Sequence, residues 1–470
     1  MTLSHFGALK ADRRIAQAKE LLLEAVKTQQ KEMNGIRTPD PDLKAYYANA
    51  LETLSRQRGA KLWFPYLGSG IGKGPLVELL DGSVKYDFIG GIGVHHFGHS
   101  HPELMSANID AAISDIIMQG HLQQNGDSLE LIDLLVTESK LDHCFLTTSG
   151  SMANENALKI AFQKHHPARR ILAFEGSFCG RTWAMSQLTE KPEVREGLPV
   201  NAAVDFLPFF DPDAPEESTK RAVDTLKRYL WRYPKDYALM LFELVLGEGG
   251  YYPGSTEFFR AIIDILKNHQ IAVCIDEVQT FGRTSKLFAF QHFELDKLVD
   301  IVTIGKLSHV CATLFTKEYN PRPGLLSQTF TSSTAAIHTA KTMIHLMIKE
   351  GFFGENGKNL RINAHIKKNF DRIADNRPGK IRGPYGLGAM VAFTPGDGHR
   401  EQVIKFGHSL FEAGVISFIC GRNPTRIRFL IPVGAVAPED IDQVTAIVEK
   451  TLYTQTNSRI GFGQRESSRD

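Results

Sequence analysis

The chain carries no excess of either charge: 54 Lys and Arg stand against 53 Asp and Glu over 470 residues, a formal net charge of +1. That balance argues against a general binder of nucleic acid or of an anionic membrane. Cysteine is scarce: Cys144, Cys179, Cys274, Cys311 and Cys420 are scattered, odd in number and form no C-x-x-C pair. A reducing, cytoplasmic setting fits that usage. No run reaches the roughly 18 apolar residues of a membrane span, and MTLSHFGALKADRR has no apolar signal core. The glycines of GGIG and GEGG lack the spacing of nucleotide-binding loops and read as turns. At this length the chain buries enough surface to fold without disulfides or a structural metal.

What is present is a change of pattern along the chain. Ile15, Ala18, Leu22 and Val26 recur at helical steps within residues 10–34, and GIRTPDPD ends that helix. A second helix is expected over about 41–57. From about 140 to 310, short apolar runs (HCFLTT, RRILAFEG, YALMLFEL, IAVCIDE, VDIVTIG) alternate with helical stretches such as 152–165 and 256–269. Runs apolar on both faces, alternating with helices, imply a parallel sheet covered on both sides. Beyond 340 come two helices and the strand-like GAMVAFTP and RIRFLIPV. The expected fold class is α/β, a large domain with a mainly parallel sheet flanked by helices plus a small α+β C-terminal domain. The expected divisions are 1–90 for N-terminal helices and lead-in, 91–340 for the large domain, 341–455 for the small domain and 456–470 for a disordered tail.

Ligands bind at the carboxyl ends of parallel strands. IAVCI delivers Asp276 and Glu277 there, VDIVTI delivers Gly305 and Lys306, and HCFLTT delivers Ser149, Gly150 and Ser151 before a helix. ILAFEG delivers Phe178, Cys179 and Arg181, and LMLFEL delivers Glu243 and Glu248. Buried carboxylates at strand ends are costly without a partner. An amine, a carboxylate, a helix N-terminus, an aromatic ring and an arginine on one rim are what pyridoxal 5′-phosphate (PLP) requires. Its aldehyde needs a lysine, its ring nitrogen an acid, its phosphate backbone N–H groups and its ring a flat apolar face.

Seven segments then resemble the class III (ω-amino acid) aminotransferases: GGIGVHHFGHSHPEL (90–104), TSGSMANENALK (148–159), GSFCGRT (176–182), FELVLGEGGYYP (242–253), DEVQTFGRT (276–284), DIVTIGK (300–306) and RIRFLIPV (426–433). They occur in the family's order and span about residues 74–435. The resemblance implies the type I PLP fold with a seven-stranded sheet. It implies Lys306 as the Schiff-base lysine and proton shuttle, Asp276 at the ring nitrogen and Gln279 near the phenolic oxygen. It further implies Gly150 and Ser151 as the phosphate cradle and Phe178 as the stacking ring. Thr329 would reach the phosphate of the neighbouring subunit, which implies a homodimer with shared active sites. Arg181 would grip a substrate carboxylate, and Glu248 and Arg428 would form a pair that separates for an α-carboxylate. The sequence departs from the family pattern at Cys179, where a histidine is usual, at LSHVCAT after the lysine, at TFTSST (329–334), and in the glycine missing from DEVQTFG.

Blander readings compete. Ser149–Ser151 is also a good helix cap without any phosphate, and Glu248 with Arg428 could be purely structural. His95, His96, His99 and His101 suggest a metal, but the Gly98 and Pro102 among them read as a turn before a helix, and no metal is expected. The expected reaction is transamination from an ω-amino acid to 2-oxoglutarate, with small-molecule amino and oxo acids as partners. N-E-N-A-L-K and the residues after Lys306 favour 4-aminobutyrate as donor, with lysine, ornithine and acetylornithine as alternatives. A PLP mutase or decarboxylase, or a non-catalytic relative, would share the cofactor residues.

Overall fold

A computed structural model describes residues 4–460. Two compact units divide the chain. One holds Ser106–Leu360 with Gly386–Gly388 and the short helix His5–Lys10; the other holds Ala11–Met105, Arg361–Tyr385 and the chain from Ala389 onward.

The first unit is built on a seven-stranded sheet. Its strands are β1 (His143–Thr147), β2 (Arg170–Phe174), β3 (Ala203–Leu207), β4 (Tyr237–Phe242), β5 (Ala272–Glu277), β6 (Ile301–Ile304) and β7 (Cys311–Phe315). Their order across the sheet is β1-β7-β6-β5-β4-β2-β3, with only β7 antiparallel to its neighbours. Every residue of β4, β5, β6 and β7 is buried, as apolar runs with no polar alternation require. The register sets Asp276 of β5 beside Thr303 of β6, so the acid and Lys306 leave adjacent strands at the same end of the sheet.

Four helices of this unit position the site and its core: α1 (Gly126–Ser139), α2 (Gly150–Lys164), α3 (Thr256–Asn268) and α4 (Thr334–Lys349). Ser149 caps α2 by accepting from Met152 N at 3.2 Å, and Ser255 caps α3 by accepting from Phe258 N at 3.1 Å. Helix α3 buries Phe258, Phe259, Ile262, Ile263 and Leu266, one stripe at three- and four-residue spacing. Phe258 and Phe259 join Phe174, Phe209 and Phe242 in an aromatic cluster with ring centroids 5.0–6.3 Å apart.

In the second unit, the strands Gly68–Lys73, Leu76–Leu79 and Val84–Asp87 form an antiparallel sheet that Val415–Ile416 extends in parallel. A further four-stranded sheet comprises Ile381–Leu387, Met390–Pro395, Arg426–Leu430 and Phe418–Cys420. The shared first sheet explains why residues 11–105 group with the C-terminal part, so the expected break at 90 falls at 105. Helix α4 packs on α1, where Lys341 Nζ lies 2.9 Å from Asp127 Oδ1, so the expected boundary at 340 moves to 360. The expected tail overlaps the helix Pro438–Ile460, and residues 461–470 lie outside the described residues. No helix among the described residues is long and apolar enough to cross a membrane.

Replacing Phe258 by alanine removes a fully buried ring from the aromatic cluster and is expected to destabilise by about 3–5 kcal/mol. Thermal unfolding should fall by several degrees; a midpoint unchanged within a degree would show the cluster to be unimportant.

Candidate active site

The ends of five strands meet at one cavity of about 210 Å³, lined by Gly150, Ser151, Asn154, Phe178, Cys179, Gly180, Glu243, Asp276, Val278, Gln279 and Lys306. Strand β5 supplies Asp276, β6 supplies Lys306 just past Gly305, and β4 supplies Glu243 just past Phe242. Strand β1 leads into the N-terminus of α2, and β2 leads into Phe178, Cys179 and Gly180.

Asp276 is buried, and both of its oxygens are engaged. Asn154 Nδ2 donates to Oδ2 at 2.7 Å and Val278 N donates to Oδ1 at 2.9 Å. Asn154 is held in turn: Thr303 Oγ1 donates to its Oδ1 at 2.6 Å, and its Nδ2 also reaches the Cys179 carbonyl at 2.8 Å. Burial pushes the Asp276 carboxyl up, opposed by the Val278 N–H, the Asn154 amide and the Lys306 ammonium. Burial, and then the Asp276 charge, push Glu243 up to about 8, although Gly247 N and Phe178 N donate to it at 3.0 and 3.1 Å. Glu277, which accepts from Ala289 N and Phe290 N at 2.7 Å each, is also raised by burial to about 8. Burial is the largest cause for all three acids, and Asp276 and Glu243 line the cavity together with Lys306.

Two backbone features press the chain close at this point. A side chain at Gly305 would meet Cys311 Sγ at 2.9 Å and Val278 Cγ1 at 3.2 Å, and one at Gly150 would meet Val278 Cγ1 at 2.8 Å. Lys306 has φ 52°, a left-handed conformation that a lysine adopts at a cost of roughly 1–3 kcal/mol. Strain of that size persists where the fold over-determines a position, and here it falls on the amine-bearing residue.

Of the other expected residues, Gln279 is buried and lines the cavity, and its side chain fills the space a Cβ on Gly247 would occupy. Arg181 is exposed, its guanidinium carbon 6.0 Å from the centroid of the Phe178 ring. Glu248 Oε2 lies 3.0 Å from Lys191 Nζ. Arg428 belongs to the second unit, in the strand Arg426–Leu430, where it is buried with its guanidinium 5.4 Å from the Phe418 ring. Thr329 is exposed and is not among the residues lining the cavity. Among the histidines, His99 Nε2 pairs with Asp87 Oδ2 at 3.0 Å and stacks on His95 at 4.4 Å. No group of three or more His, Cys, Asp or Glu among the described residues is arranged to hold a metal ion. Sequence reasoning gave no role to Asn154, Thr303 or Lys191. The signal for Asn154 was an asparagine on the sheet-facing side of a helix, a position that needs partners when buried.

The set suits PLP. Lys306 would hold its aldehyde, Asp276 its ring nitrogen, Phe178 its face and Gln279 its phenolic oxygen. Gly150 and Ser151 stand at the helix N-terminus for the phosphate, with the Ser149 hydroxyl already occupied by Met152 N. When bound, the group supplies an electron sink that labilises a bond at the amine-bearing carbon of the substrate. The donor set is the observation that supports the fit: a lysine amine, a buried carboxylate and a helix N-terminus line one cavity.

Comparison with known proteins agrees. Residues 69–452 match the family model for Aminotransferase class-III. The acetylornithine aminotransferase of Bacillus subtilis (strain 168) is 31% identical over 388 residues, covering 81% of this chain and 93% of that protein. Among solved structures, the lysine aminotransferase from M. tuberculosis shares the fold with a TM-score of 0.76 at 21% identity, over 86% of this chain and 99% of the other. The ornithine aminotransferase from Toxoplasma gondii ME49 does so with a TM-score of 0.76 at 20% identity, over 89% and 100%. A fold of this kind with this site defines a PLP-dependent enzyme. The chain belongs to the class III aminotransferase family, and it is a transaminase acting on small amino and oxo acids.

The raised carboxyls set a pH dependence. Glu243 stays protonated in the folded chain up to about 8, but in the unfolded chain it ionises near its ordinary 4.5. Between those values the folded state binds more protons, so stability falls as pH rises. Glu277 acts in the same window. The cofactor-free protein is therefore expected to melt at progressively lower temperature from about pH 5 to pH 8, with a shallower slope in Glu243→Gln. A wild-type slope of opposite sign, or one the substitution leaves untouched, would contradict the assignment.

Proposed function

We propose that the donor is an amino acid whose reacting amine sits on its terminal carbon, of the acetylornithine, ornithine or lysine type, and that 2-oxoglutarate is the acceptor. The observation that carries this reading is the likeness to acetylornithine aminotransferases, 29% to 31% identical over more than four fifths of this chain. The site supports it with Arg181, a cation beside the cavity-lining Phe178, suited to a carboxylate remote from the reacting amine. The motif N-E-N-A-L-K on α2 adds 4-aminobutyrate, a donor of the same chemical class, to these candidates. Lys306, freed by the incoming amine, moves the proton at the substrate carbon.

The enzyme works as a homodimer in which Thr329 reaches the partner's phosphate site. In support, Ile117, Leu122 and Phe330 are 75%, 96% and 56% exposed, on segments joined by the pairing of Met118–Gln119 with Ser332–Ser333. Side chains of that size in one region fit an interface. The five free cysteines support a cytoplasmic, reducing setting.

A panel of amino donors with 2-oxoglutarate, reading glutamate formation, tests the reaction. At least one of acetylornithine, ornithine, lysine and 4-aminobutyrate is expected to exceed alanine and aspartate by about tenfold or more in kcat/KM. Glutamate formed only from amines on the α-carbon, or from none of the panel, would overturn the proposal.

A further inference from the structure

The ion pair of Lys191 with Glu248 lies beside Phe178, a residue of the cavity lining. Lys191 Nζ is 3.0 Å from Glu248 Oε2 and 5.5 Å from the centroid of the Phe178 ring, which lines the cavity. Arg181 approaches the same ring at 6.0 Å. Two cations thus lie within 6.0 Å of the centroid of one aromatic ring, an arrangement its quadrupole favours.

The position of Lys191 is fixed by backbone. Its own N–H donates to the Thr189 carbonyl at 2.8 Å, and Glu190 N donates to the Ser177 carbonyl at 2.9 Å. Thr189 Oγ1 donates to the Gly180 carbonyl at 2.8 Å and accepts from Cys179 N at 3.0 Å. Glu190 Oε2 accepts from Gly176 N at 2.7 Å. Residues 189–191 are thereby sewn to residues 176–180, the segment that carries Phe178. A lysine ammonium has three donors and binds carboxylates as a compact charge, so one carboxylate can replace another on it.

We infer that Lys191 is a specificity-determining residue: it receives the carboxylate at the far end of a dicarboxylic substrate, and Glu248 holds its charge until that acid arrives. The inference rests on the reading of 2-oxoglutarate as acceptor, and it adds to Arg181 a second cation that sequence reasoning did not supply.

The test uses the full-length holoenzyme with Lys191→Met and Lys191→Arg, and glutarate and butyrate as unreactive probes. Glutarate has a carboxylate at each end, and butyrate has one. Calorimetric affinity for glutarate is expected to fall about tenfold or more in K191M, the loss of one charge-assisted contact, and to recover in K191R. Affinity for butyrate should change less than about twofold, because no second carboxylate is lost. The ratio of kcat/KM for 2-oxoglutarate over pyruvate should fall in parallel. Equal losses for glutarate and butyrate, no loss for either, or no measurable glutarate binding by the wild type would overturn the inference. A wild type that binds glutarate but forms no glutamate from any donor would instead sink the acceptor reading, and the binding arm would still decide Lys191.

Discussion

A carboxylate placed at the end of a fully buried strand needs partners, and the site follows from supplying them to Asp276. Its two oxygens take the Asn154 amide and the Val278 N–H, and Thr303 holds Asn154 from the neighbouring strand. Asp276, Asn154 and Thr303 are all buried, so removal of one partner leaves a desolvated group unsatisfied. The network links β5, β6 and α2, the three elements that carry the acid, the amine and the helix N-terminus. The same bonds that satisfy the acid therefore fix the relative positions of the acid, the amine and the helix N-terminus.

Close approach is the second constraint. Val278, directly after the two acids, packs against Gly150 and, with Cys311, against Gly305, so that neither glycine accepts a Cβ without displacing a neighbour. Small residues at those two positions let the helix N-terminus and the lysine turn converge on one cavity. Lys306 takes a left-handed conformation in the same turn. Burial raises both Asp276 and Glu243, which marks the cavity as a desolvated site.

Much of this was legible in the sequence, for physical reasons. Apolar runs without alternation can only be strands covered on both faces, which is how β4, β5 and β6 appear. The helices expected over 152–165 and 256–269 occupy Gly150–Lys164 and Thr256–Asn268, their starts set by Ser149 and Ser255 as caps. Gly150, Ser151, Phe178, Asp276, Gln279 and Lys306 line the same cavity because each lies at or just past the end of a strand at the same end of the sheet. Less legible was what depends on long-range pairing. Nothing local shows that Val415–Ile416 extends the sheet of Val84–Asp87, and that pairing moves residues 91–105 out of the larger unit. Lys191 was passed over for a similar reason: its approach to Phe178 comes from hydrogen bonds across a loop with no periodicity to read. Asn154 lies inside the motif TSGSMANENALK, yet its role depends on Thr303, distant in sequence.

The role of the buried acid is tested most directly by the turnover and cofactor affinity of Asp276→Ala, measured on protein whose thermal melt shows it folded. With Asp276 placed at the ring nitrogen as proposed, the variant would lack the group that keeps that nitrogen protonated, and kcat is expected to fall by on the order of 10²–10⁴ with weaker cofactor binding. A folded variant that turns over within a few-fold of the wild type would contradict the dependence of the chemistry on Asp276.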